Sequence, residues 1–134
     1  MSLIKKIAHI GVVVPKLDVA RAFYEQVYGV TTTPPQEIRK GVKSSYVPLE
    51  NSKLELMEPF DKSLPMHEWL MFHPKGGIHH IAFSVENAQN SIDQLDYIGL
   101  PSLTKNPLTN LKNEKHLFLD PEYTHNVLTE LVEE

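Results

Sequence analysis

Four residues carry the strongest chemical signal in the sequence: His9 and His80, each entering an apolar run, and Glu55 and Glu130, each flanked by apolar or β-branched neighbours. Neutral imidazole and carboxylate are costly to bury without partners, so their presence in strand-like segments calls for a reason. Two imidazoles with two carboxylates suit a divalent ion of borderline hardness, Zn²⁺, Ni²⁺, Co²⁺ or Mn²⁺, and the ligand charges balance the ion's. Such a set leaves coordination positions open to substrate oxygens, the feature that separates a catalytic site from a closed structural one. There is no cysteine, which excludes thiolate zinc sites, disulfides and thiol nucleophiles.

A single histidine on an apolar strand is more often a satisfied core residue than a ligand. What raises this set above that reading is repetition. IAHIGVVVPKLDVARAFYEQVYGV, residues 7 to 30, lies against IHHIAFSVENAQNSIDQLDYIGL, residues 78 to 100, so that His9 matches His80 and Val14 matches Val85. Further on, Leu54-Glu55-Leu56 matches Thr129-Glu130-Leu131. The match assigns the ligand role to His80, and strand alternation turns His79 to the other face. His67, His73, His116 and His125 are expected on the solvated surface.

The elements that must position these residues follow from periodicity. Each copy reads as a strand, a turn and an amphipathic helix; Val19, Phe23 and Val27 recur every four residues in the first, while Ala88, Ile92, Leu95 and Ile98 recur at four, three and three in the second. Asp18 and Asn87 stand as N-cap candidates, and Gly29 and Gly99 where a glycine ends a helix. Strands are expected near 42 to 49, 53 to 58, 115 to 119 and 127 to 132, with shorter ones near 30 to 39 and within 101 to 113. The fold class is α+β, two βαβββ modules in one domain spanning 1 to 134. The halves cover about 5 to 59 and 77 to 134, joined by a linker at 60 to 76 with a short helix over Pro65 to Phe72. The expected core includes Ile7, Ile10, Val12, Val14, Phe23, Val27, Leu56, Ile81, Phe83, Val85, Ile92, Leu95, Phe118 and Leu131.

The 134 residues are 41% hydrophobic, and 13 basic and 17 acidic residues give a net charge of −4 without a long block of either sign. That argues against nucleic acid or an anionic membrane as a partner. The N-terminal apolar run closes at Pro15, too short to span a bilayer, so a cytoplasmic protein is expected. Short sheets with exposed edges suggest a homodimer.

The segments AHIGVVVPKLDVARAFYEQVYG, KLELMEP, GGIHHIAFSVEN and NVLTELVE resemble the signature stretches of the vicinal-oxygen-chelate superfamily. Within it they are most similar to the methylmalonyl-CoA epimerases and next to glyoxalase I, lactoylglutathione lyase. The resemblance covers Ile7 to Glu133. It implies a cupped mixed sheet around a metal held by His9, Glu55, His80 and Glu130, with Glu130 as catalytic base taking a proton α to the carbonyl of a small carbonyl or thioester substrate. Other activities on this fold are Fe(II) dioxygenases and non-enzymatic small-molecule-binding proteins. The chain departs from the epimerase pattern at Ser44, where those enzymes carry a second glutamate, and at Asp120 to His125, where they have a His-Pro-Lys-Ser segment. With serine at 44, the resemblance implies one-base proton exchange in preference to epimerisation.

Overall fold

The computed structural model describes residues 2–134. Its elements run β1 (Ile7–Val13), α1 (Leu17–Tyr28), β2 (Gln36–Arg39), β3 (Val42–Pro48), β4 (Lys53–Pro59), α2 (Pro65–Phe72), β5 (Gly77–Val85), α3 (Ala88–Tyr97), β6 (Leu108–Thr109), β7 (Lys115–Leu119) and β8 (Thr129–Glu133). This is an α+β chain with the βαβββ order given twice. The two expected short strands are four residues in β2 and two in β6.

The chain groups into two compact units, Ile10–His79 and the described residues up to His9 together with His80–Glu134. The boundaries fall immediately after His9 and before His80, so both histidines belong to the second of these.

In the unit Ile10–His79, the strand order is β2-β3-β4-β1. β1 pairs parallel with β4, Gly11 opposite Glu55, and β3 pairs antiparallel with β4, Tyr46 opposite Glu55. Alternation sends Leu54, Leu56, Val12 and Val47 to one face, where Leu17, Ala20 and Tyr24 of α1 pack on them. Toward one end of the opposite face, Met66 of α2 joins Val13, Val42 and Met57, with Trp69 and Leu70 beside them. The segment expected as a linker is therefore part of this unit's core.

The expected α1 face is corrected here. Val19, Phe23 and Val27 are 61%, 48% and 61% exposed, and only Leu17 of this helix is fully buried. Leu17, Ala20 and Tyr24 follow the helical period as well as the other stripe does, and the sheet accepts them. Phe23 instead sits edge-on to Tyr24 and Tyr28. Ile7 is also exposed, on the first residue of β1.

In the other unit, β5 pairs parallel with β8, Ala82 opposite Glu130, and β7 pairs antiparallel with β8, Phe118 opposite Glu130. Ala88, Ile92 and Leu95 of α3 pack on Val85, Leu117, Leu119 and Leu131. Burying each such Leu or Ile contributes about 1.5–3 kcal/mol.

The starts of α1 and α3 each use a carboxylate from the last strand of their own half. The Leu17 N–H donates to Glu58 Oε1 at 2.7 Å, and the Ala88 N–H donates to Glu133 Oε2 at 2.8 Å. Asn87 is the N-cap expected for α3, its Oδ1 accepting from the Asn90 N–H at 2.9 Å. Asp18 is not an N-cap: Lys16 holds that position without a side-chain bond, and Asp18 lies in the first turn. Gly29 closes α1 at φ +70°, a left-handed conformation that glycine takes without strain.

Candidate metal centre

His9 is the third residue of β1, His80 the fourth of β5 and Glu130 the second of β8. β5 and β8 run parallel with Ala82 opposite Glu130, so the carboxylate and the imidazole two residues earlier on β5 share a face. All three are buried, at 6%, 1% and 2% exposure. Ala8, Ala82 and Val132 form a small apolar cluster among their chain neighbours.

The three ligand atoms form a nearly equilateral triangle. His9 Nε2 lies 3.1 Å from His80 Nε2, and each lies 3.1 Å from Glu130 Oε1. The imidazole rings are edge to face, centroids 5.2 Å apart at 84°. Lone pairs of two ring nitrogens and a carboxylate oxygen brought this close repel one another unless a proton or a cation lies among them. With bonds of about 2.1 Å to a shared ion, each pair would subtend about 95°, near the right angle of an octahedral face. Two nitrogens and one oxygen are the donor set that borderline divalent ions favour. Geometry and donor chemistry both fit a metal.

Of the four residues expected at the site, His9, His80 and Glu130 thus converge on one point. Glu55 is buried on β4 in the other unit, opposite Gly11 on one side and Tyr46 on the other. His79 is half-buried, its ring 5.2 Å edge-on from Trp69, on which His73 also stacks at 4.0 Å.

His116 departs from expectation: it is buried, at 6% exposure. Its ring meets Phe118 edge-on at 5.9 Å, and Phe118 meets His80 edge-on at 5.7 Å. The signal was present in KHLFL. Leu117 and Leu119 pack toward α3, so alternation turns His116 and Phe118 to the face that carries Glu130. In the other unit Ser44 is buried, and its hydroxyl has no hydrogen-bond partner.

Residues 8–117 match a family model described as the Glyoxalase/Bleomycin resistance protein/Dioxygenase superfamily. The chain is 33% identical over 131 residues to an ethylmalonyl-CoA/methylmalonyl-CoA epimerase of Cereibacter sphaeroides, covering 96% of this chain and 98% of that protein. It is 30% identical over 131 residues to a mitochondrial methylmalonyl-CoA epimerase of Dictyostelium discoideum, covering 97% and 79%. Among solved structures, a variant of the Streptomyces coelicolor methylmalonyl-CoA epimerase in complex with 2-nitronate-propionyl-CoA superposes with a TM-score of 0.89 at 27% identity. That match covers 98% of this chain and 95% of the other. These relatives are epimerases, and none of them supports the glyoxalase I alternative.

Proposed function

The chain belongs to the glyoxalase/bleomycin resistance protein/dioxygenase superfamily, and from that membership we propose that it is a metal-dependent epimerase acting on methylmalonyl-CoA or a close acyl-CoA thioester. The observation that carries the reading is the triangle of His9 Nε2, His80 Nε2 and Glu130 Oε1, 3.1 Å on each side. The kinship to epimerases over nearly the whole chain supplies the substrate class.

His9, His80 and Glu130 would hold the ion, and the sequence repeat offers Glu55 as a fourth ligand. Register supports Glu55: it stands opposite Gly11, two residues after His9, as Glu130 stands opposite Ala82, two residues after His80. A divalent ion bound there supplies Lewis acidity to the thioester carbonyl, making the neighbouring C–H acidic. Glu130 takes that proton as general base, its carboxylate lying 3.1 Å from both imidazoles. The buried strand faces around it exclude water, which strengthens each electrostatic interaction at the reacting carbon. A homodimer and a cytoplasmic location belong to the same reading. The exposed edges at β2 and β6 support the first; none of the described helices is long and apolar enough to cross a membrane.

The test is ¹H NMR of methylmalonyl-CoA in D₂O with protein loaded in turn with Zn²⁺, Ni²⁺, Co²⁺ and Mn²⁺. Loss of the α-proton signal with at least one ion is expected. No exchange and no epimerisation with any of them would dismiss the reading.

A further inference from the structure

In the unit Ile10–His79, the sheet face that bears Glu55 is closed at one end and open at the other. Met57, Ser44 and Val42 stand on that face and are buried, with Met66, Trp69 and Leu70 of α2 packed at Met57 and Val42. In the opposite direction along β4 and β3 come Lys53 and Tyr46, both only half-buried. Within this unit, the solvent-open approach to Glu55 therefore runs past Tyr46 and Lys53.

Alternation makes Lys53 the one cation that β3 and β4 present on this face. Its Nζ lies 4.4 Å from the centre of the Tyr46 ring, and Tyr46 is the direct cross-strand neighbour of Glu55. An aromatic face attracts an ammonium through its quadrupole, which positions the charge and leaves its N–H donors unspent. Among the described residues, Lys53 forms no ion pair with a carboxylate. The ammonium is thus held beside Glu55, half-desolvated, with its donors available to an incoming anion.

We propose that Lys53 binds the free carboxylate of the substrate's acyl group and so selects malonyl-type thioesters over those with uncharged acyl chains. The proposal rests on the epimerase reading above, with Glu55 as a ligand of the ion. Methylmalonyl-CoA carries two kinds of anion. Its acyl carboxylate is separated from the thioester carbonyl by the α-carbon alone, whereas its phosphates lie beyond the pantetheine arm. Lys53 is two residues from Glu55 along β4, about 7 Å, and its ammonium folds back over the neighbour of Glu55. That nearness fits the carboxylate. Its N–H donors form charge-assisted bonds to a carboxylate, and an uncharged acyl chain offers them no acceptor. Lys53 moves no proton; it acts by orienting the acyl group.

The experiment measures the affinity of the metal-loaded protein for malonyl-CoA and for acetyl-CoA, which differ by the carboxylate alone, using calorimetry with displacement titration where binding is weak. Wild type binds malonyl-CoA more tightly. Lys53→Met weakens malonyl-CoA binding by about 10-fold or more and leaves acetyl-CoA binding, metal content and the melting midpoint of the metal-free protein unchanged. Lys53→Arg keeps most of the preference for malonyl-CoA, because it keeps the charge. Equal loss for both esters would overturn the proposal by placing Lys53 on the phosphates. Lys53→Met that binds malonyl-CoA as wild type does would overturn it too, as would wild type that binds both esters equally. Wild type that binds neither ester removes the epimerase reading itself, and this proposal with it; a failure confined to Lys53 leaves that reading standing.

Discussion

Glu130 on β8 lies directly opposite Ala82 on β5, the residue two positions past His80. A small side chain there lets the carboxylate lie over β5 toward the imidazole, and Gly11 opposite Glu55 repeats the arrangement in the other half. Ala82 is fully buried. Ala82→Leu should push Glu130 off its position and lower metal affinity by about 10–100-fold, as changes beside a ligand do. Competition against a chromophoric chelator measures this, and unchanged affinity would deny Ala82 its spacing role.

Glu130→Gln should leave the fold intact, since shape is conserved, with the melting temperature of the metal-free protein within a few degrees of wild type. It should abolish α-proton exchange in the epimer whose proton Glu130 takes. Persistent exchange in the variant would show that another group is the base.

Metal should stabilise the folded protein by mass action, about 2.7 kcal/mol at a free concentration one hundred times Kd. Thermal melts with increasing Co²⁺ or Zn²⁺ should show a rising midpoint in the wild type and none in His80→Ala. An equal rise in both would place the ion elsewhere.

The carboxylate caps make a structural prediction. Glu58→Ala and Glu133→Ala remove the acceptors of the Leu17 and Ala88 amides, so each should cost about 1 kcal/mol in urea unfolding. The caps sit on separate helices without shared partners, and the double variant should lose the sum to within about 0.5 kcal/mol.

On α1, Phe23→Ser should change stability by about 0.5 kcal/mol or less, while Leu17→Ala should cost about 2–5 kcal/mol. The contrast follows from exposure, since Phe23 is about half open to solvent and Leu17 is buried. A large loss at Phe23 would mean that its stripe is covered.

The sequence revealed most where both halves repeat. His9 and His80 stood out because the strand repeat aligns them, and Glu130 because Thr129-Glu130-Leu131 repeats Leu54-Glu55-Leu56. The helix Pro65–Phe72 was legible from its proline start. The α1 face was not, because two stripes of this helix are apolar at helical spacing and only the sheet decides between them. Glu58 escaped notice because its partner Leu17 is 41 residues away, beyond any local capping pattern. His116 reads as a surface residue from the sequence because it stands in what looks like an edge segment. Register across β7 and β8 makes its position equivalent to that of buried Ser44.

The most direct measurement is the rate of α-proton exchange in methylmalonyl-CoA, followed by ¹H NMR in D₂O, with chelator-stripped protein before and after one equivalent of Co²⁺ is returned. The triangle of His9, His80 and Glu130 predicts no exchange in the stripped protein and exchange that rises in proportion to added ion, saturating at one per chain. Equal rates with and without the ion would contradict a metal-dependent reaction at this site, and so would saturation at a different stoichiometry.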